Sequence, residues 1–327
     1  MKKMIQQSII GIDNLVAQIY LSWFEEKKSL LTFLFHGLFN DRNEINQNIV
    51  DPQQSITTDI FRQFIEYFLE HSYMFITPED IINGLKPHYN YILITFDDGY
   101  YNNHLALSIL KEYQVPSTFF ISSNHIVENK CFWWDVVYRE RRKRNATIKQ
   151  INREYKSLKH RKNDEIEEYI NTAFGMKALC PIADIDRPFT PAELNSFSKE
   201  PLVTLGNHTS NHAILTNYSY NGIKSEIENS QSTIYDITGI TPNIISYPNG
   251  NYSTEVLKIS KEIGFKLGIR VHPTKNILPI NLQGTDSLLL NRYTLLGNRD
   301  VRNQCYNFRN DFQLNPVLIS LFRHIKM

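Results

Sequence analysis

The stretch Tyr91-Ile92-Leu93-Ile94-Thr95-Phe96-Asp97-Asp98-Gly99 decides how this chain reads. A short, nearly continuous apolar run ending in a turn pair describes a strand buried on both faces, as in a parallel sheet. Two carboxylates follow at its carboxyl end, where parallel α/β folds gather side chains from separate loops. Adjacent residues on an extended segment point in opposite directions, so one aspartate is expected to face a metal while the other turns to another task.

Working outward, His208 and His212 stand four apart in Gly206-Asn207-His208-Thr209-Ser210-Asn211-His212, after a strand-like run over residues 201–206. A helical turn there would bring both imidazoles to one face. Two carboxylates and two imidazoles suffice for three metal ligands plus a free general base, and a metal with three protein ligands keeps a position open for water. A third segment, Ser246-Tyr247-Pro248-Asn249-Gly250, ends another strand-like run. Alone, Asp-Gly is a common turn and His-x-x-x-His a common surface pair; the ordered set carries the signal.

Around these segments strands and helices alternate. Strands are expected at 30–36, 116–121, 201–206, 243–247, 265–271 and 287–293, and helices at 58–71, 104–113, 223–235 and 254–263, with Thr77 as the cap of another. Strands separated by helices predict βα units and a mainly parallel sheet. Residues 128–199 interrupt the alternation and read as a solvated helical insertion. Arg141, Arg142, Lys143 and Arg144 within it offer a second reading, a hold on a phosphorylated substrate. Trp133 and Trp134 suit either a sugar-stacking platform or an apolar anchor.

The bulk numbers permit a soluble enzyme. The chain has 327 residues, 42% hydrophobic and 21% charged, with a formal net charge of +1. Bulk charge therefore gives no reason to expect nucleic acid as a partner. Cys131, Cys180 and Cys305 form no Cys-x-x-Cys pair, so neither a disulfide framework nor a cysteine zinc site is expected. The Met-Lys-Lys start lacks a continuous apolar segment behind it, and no run approaches the roughly 18–20 residues of a membrane span. A cytoplasmic location is the expectation. Apolar stripes at Ile9, Ile12, Val16 and Tyr20, and at Leu318, Leu321, Phe322 and Ile325, read as core-facing helix faces in an N-terminal segment (1–29) and a C-terminal tail (301–327). Peripheral membrane contact is the minority reading.

The three ordered segments resemble the first three motifs of the polysaccharide deacetylases, the nodulation-deacetylase homology group also called carbohydrate esterase family 4, over residues 30–293. The resemblance implies a distorted (β/α) barrel of about seven strands over 30–300, with 128–199 as an insertion. It also implies hydrolytic removal of an N-acetyl group from an amino sugar, free or linked to a nucleotide or lipid. One divalent metal is implied, commonly zinc, with cobalt, manganese or nickel as alternatives. By resemblance Asp98, His208 and His212 hold the metal and Asp97 is the base. The Asn249 N–H faces the oxyanion, aimed by Tyr247 and Pro248, and Trp134 is a candidate substrate contact. Ser246 stands where the family commonly has an arginine that braces the base; Arg292 is a candidate replacement, or a plain surface arginine. The acid that must protonate the leaving amine is either His272, which follows the motif order, or His36 in Phe35-His36-Gly37. The latter resembles a segment found early in members with the Tyr-Pro-Asn-Gly variant. The rivals are an O-deacetylase or small-amide hydrolase on the same fold, and an inert glycan-binding module, which would have no use for Asp97.

Overall fold

The computed structural model describes residues 14–311, so Ile9, Ile12 and the C-terminal stripe from Leu318 lie outside the described residues. Nine strands make one sheet: β1 (Ser29–Phe35), β2 (Met74–Phe75), β3 (Tyr91–Phe96), β4 (Ser117–Ile121), β5 (Val203–Asn207), β6 (Ile244–Ser246), β7 (Leu267–Ile269), β8 (Asn276–Ile277) and β9 (Tyr293–Thr294). Seven follow one hydrogen-bonded path, β8-β1-β3-β4-β5-β6-β7, with β9 beside β1 and β2 beside β3. Every pairing is parallel except β8 on β1. The strand expected over 287–293 is instead a turn at Asp286–Leu288 followed by β9. The side chain of Asn276 intervenes, bonding the Asn291 N–H at 2.7 Å and the Asn291 carbonyl at 2.9 Å.

That irregular segment nearly closes the sheet on itself. The Leu290 N–H donates to the Gly268 carbonyl at 2.9 Å, and three residues later Tyr293 pairs with Phe33 of β1. The chain from Leu290 to Thr294 thus runs from β7, at one end of the path, to β1 near the other. The expected distorted barrel results, and it gathers the carboxyl ends of β1, β3, β5 and β6.

Helices cover the outside. In α1 (Thr58–Glu70) Thr57 caps the first turn, and Phe61, Phe64, Ile65, Tyr67 and Phe68 are buried. Phe64 meets Phe33 edge to face at 4.7 Å between centroids. Truncating one such core phenylalanine costs about 3–5 kcal/mol. Helices α2 (Ala106–Tyr113), α6 (Tyr220–Thr238), α7 (Thr254–Ile263) and α8 (Val301–Arg309) likewise bury one apolar face each, α7 and α8 under the caps Ser253 and Asp300. Among the described residues no helix is long and apolar enough to cross a membrane.

Residues 128–199 correct the expectation of a solvated hairpin. Three helices, α3 (Trp133–Lys143), α4 (Ile148–Leu158) and α5 (Asn163–Phe174), enclose a core of their own with Phe132, Val136, Val137, Ile151, Leu158 and Ile170 buried. A buried ion pair, Arg139 to Asp186 at 2.5 Å, ties α3 to the return segment. Asp186 also accepts the N–H groups of Ile182 and Ala183. Removing either partner of such a pair costs about 3–5 kcal/mol, because the other charge stays buried alone.

Candidate metal centre and active site

The chain leaves β3 through a kink. Asp98 has φ 78° and Gly99 φ 86°, both left-handed. The kink overturns the expectation that the two aspartates diverge. Asp97 Oδ2 lies 3.7 Å and Asp98 Oδ1 3.5 Å from the same atom, His208 Nε2. His212 Nε2 lies 3.4 Å from Asp98 Oδ1. The histidine segment is also a turn and not the helix expected, with Thr209 at φ 64° and His212 at φ 51°. Positive φ outside glycine costs on the order of 1–3 kcal/mol and persists where surrounding bonds over-determine it. Here Asn207 Oδ1 accepts the Thr209 N–H, and Thr209 Oγ1 accepts the Ala213 N–H, both at 2.8 Å. The Glu226 carboxylate takes both the backbone and the side-chain N–H of Asn211.

Asp98, His208 and His212 fit a divalent metal. Their ligand atoms lie within 4.8 Å of one another. Both Asp98 oxygens are buried without a hydrogen-bond partner, a costly state that a cation would relieve. His208 donates from Nδ1 to the Ser246 carbonyl at 2.8 Å, which turns the Nε2 lone pair inward and is a common support for metal-binding histidine. Tetrahedral zinc with ligands at about 2.0–2.1 Å separates neighbouring donors by about 3.3–3.4 Å. The 3.4 and 3.5 Å spacings around Asp98 Oδ1 agree. Burial pushes His212 down to about 3, with Asp98 opposing and His208 assisting, so it is neutral and able to ligate.

Asp97 has a different environment. Arg292 forks it, with Nη1 2.7 Å from Oδ1 and Nη2 2.6 Å from Oδ2. The same guanidinium bonds Thr95 Oγ1 and Ser246 Oγ at 3.1 Å each. Arg292 is 1% exposed, so it is no surface arginine. Burial disfavours the Asp97 anion, but Arg292 outweighs it and holds the carboxyl well below the usual range. Ser246, in the position where the family commonly has arginine, joins this network through its hydroxyl.

The two aspartates open into a cavity of about 300 Å³ whose lining includes His36, Asp97, Asp98, Trp133, Trp134, His212 and Asn249. Asn249 sits left-handed (φ 56°) in the turn Pro248–Gly250. Trp134 meets the His212 ring at 4.6 Å. Its Nε1 donates to Tyr100 Oη at 2.8 Å, and Tyr100 donates in turn to Asp135 at 2.6 Å. The tryptophan pair is therefore both wall and anchor.

Other expected positions fall elsewhere. His272 is exposed and outside the cavity lining, and its carbonyl accepts the Arg292 N–H. The Tyr247 ring is fully buried among Ile245, Val256 and Phe265, so it anchors the Asn249 turn and does not face the cavity. The basic cluster does not line the cavity either. Arg141 pairs with Glu154 at 2.8 Å and Lys143 with Glu140 at 2.7 Å. Four polar lining residues went unmarked in the sequence: Asp51, Gln53, Tyr155 and Lys159, the last two at the end of α4. So did Gln54, which bonds His36.

The chain belongs to the polysaccharide deacetylase family, whose model matches residues 85–268. Among curated proteins it is similar to YxkH of Bacillus subtilis strain 168, described as a polysaccharide deacetylase, at 21% identity over 218 residues. That match covers 65% of this chain and 57% of the relative, so the chain spans less than two thirds of its length. Among solved structures it is similar to the Streptococcus pyogenes deacetylase PplD in complex with acetate, with TM-score 0.57 and 17% identity. That likeness covers 87% of this chain and all of the other. A polysaccharide deacetylase from Bacillus cereus gives TM-score 0.59 at 14% identity, over 86% of this chain and 69% of the other. At these identities the structural likeness is one of fold.

Proposed function

We propose that this protein is a metal-dependent hydrolase that removes the N-acetyl group from an amino sugar of a glycan. The observation that carries the reading is a three-donor set, two of whose members line one cavity, and beside it a buried carboxylate forked by its own arginine. A binding module would need the first and not the second.

Asp98, His208 and His212 would hold the ion; two imidazoles, one carboxylate and an open position is a set that catalytic zinc takes. When bound, a divalent ion there acidifies water and polarises the acyl oxygen. Asp97, kept anionic by Arg292, accepts the proton of the attacking water. The Asn249 N–H donates to the oxyanion as the carbonyl carbon becomes tetrahedral. His36, on the cavity wall, gives a proton to the amine nitrogen so that the C–N bond breaks forward. Trp134, fixed by Tyr100, presents an apolar face to the sugar.

The test is acetate release from N-acetylglucosamine oligomers and, in parallel, from O-acetylated sugars. Turnover of the N-acetyl substrate should vanish with chelator and return with zinc. Asp97→Asn should abolish turnover while zinc still binds. Full activity in that variant, or activity indifferent to chelator, sinks the mechanism; release from O-acetyl sugars alone moves the reading to an esterase.

A further inference from the structure

The short loop after Asp51 is built with unusual care for a surface segment. Gln53 and Ser55 both take left-handed φ, 43° and 57°, while Gln54 between them is 6% exposed. Two remote contacts hold it. The Asp51 N–H donates to Asp135 Oδ1 at 2.8 Å. The Gln54 carbonyl accepts the Gly297 N–H at 2.7 Å. Gly297 comes so close that a Cβ on it would lie 1.9 Å from the Ser55 carbonyl oxygen. What this arrangement delivers is the Gln54 amide. Its Nε2 donates to the Leu34 carbonyl at 3.2 Å, and its Oε1 lies 2.9 Å from His36 Nδ1.

An amide can be turned either way, but here only one orientation works. The reverse would set Oε1 against the Leu34 carbonyl, two acceptors with no proton between them. With Oε1 toward the ring, Nδ1 of His36 must donate. The neutral imidazole then carries its proton on Nδ1, and Nε2 is left as the nitrogen that can gain or give one.

We propose that Gln54 is a positioning residue that locks the His36 tautomer, so that His36 exchanges protons with the cavity through Nε2 alone. This rests on the reading of His36 as the proton donor. It assigns to a neutral amide the orienting task that a carboxylate or backbone carbonyl performs for many catalytic histidines. Gln54 acts through His36, with no contact to substrate required.

Two variants separate orientation from structure. Gln54→Met fills similar space without an acceptor. Gln54→Glu keeps an acceptor toward His36 but loses the N–H that serves Leu34. A structural role therefore predicts that Glu is the worse of the two, and the orienting role predicts the reverse. The readouts are long-range 1H–15N NMR spectra of histidine-labelled protein, with His36 assigned through His36→Ala, and kinetics on the N-acetyl oligomer. Wild type should show the Nδ1–H tautomer alone. Met should show both tautomers and about a tenfold lower kcat at unchanged KM, a part of what a general acid supplies. Glu should keep the single tautomer and most of kcat while melting at a lower temperature than Met. The inference is overturned if Met keeps the wild-type tautomer and kcat, or if Glu loses both as fully as Met. Full activity in His36→Ala would remove the acid reading, while the spectra still decide whether Gln54 sets the tautomer.

Discussion

Replacing Arg292 with methionine tests the link between burial and chemistry most directly. The guanidinium makes four bonds, two to Asp97 and one each to Thr95 and Ser246. Unit charges 4 Å apart attract by about 4 kcal/mol at an effective dielectric near 20, and removing one member of a buried pair costs about 3–5 kcal/mol. Arg292→Met should therefore destabilise the chelated protein by about that much. The sharper quantity is the coupling in a cycle with Asp97→Asn, measured by urea denaturation. Each single variant leaves a buried charged group alone, and the double variant leaves none. Its loss should fall short of the sum of the singles by at least about 2 kcal/mol. The sign with pH follows. In wild type the carboxyl is held below its ordinary value. The pair's contribution is then complete above about pH 4, the unfolded value, and is lost only as pH falls through the lower folded value. Without Arg292 the main opposition to burial is gone and the carboxyl rises relative to wild type, so the variant's deficit should shrink on acidification. A coupling under about 0.5 kcal/mol, the scatter of independent sites, would refute the buried pair as what keeps Asp97 ionised.

Two further outcomes test the rest of the site. Asp98→Asn should bind zinc at least tenfold more weakly by isothermal titration. Zinc at 100 times its dissociation constant should raise wild-type stability by about 2.7 kcal/mol and leave this variant nearly unmoved; equal stabilisation of both would place the ion elsewhere. Gly297→Ala must displace Ser55. Overpacking of this kind costs about 1–3 kcal/mol, and kcat should fall with it because the same loop carries Gln54. Wild-type stability and turnover together would mean the loop yields freely.

What was legible in the sequence is what local backbone determines. The strand Tyr91–Phe96 and the helix Thr254–Ile263 match their expected bounds, the first a bare apolar run, the second flanked by a Ser253 cap and Gly264. The cluster of Asp98, His208 and His212 was legible for a similar reason, since each lies within a few residues of a strand end. The readings that the structure does not support depended on a partner outside the local stretch. Arg141 looked like an anion site only while Glu154 was out of view. His272 had the right order, but its backbone is spent on Arg292, and its side chain is left outside. Gln54 sits between two polar neighbours that suggest solvent, and its burial is imposed by Gly297 from near the other end of the chain. Arg292 is the instructive case. The sequence offered it either as a brace for Asp97 or as a plain surface arginine, and topology decides between the two. A barrel with too few strands needs a segment to bridge its two ends, and Leu290 to Thr294 is that bridge, from β7 to β1. A residue carried on such a bridge is brought within reach of the gathered strand ends, and a cation among them meets the carboxylate that leaves β3.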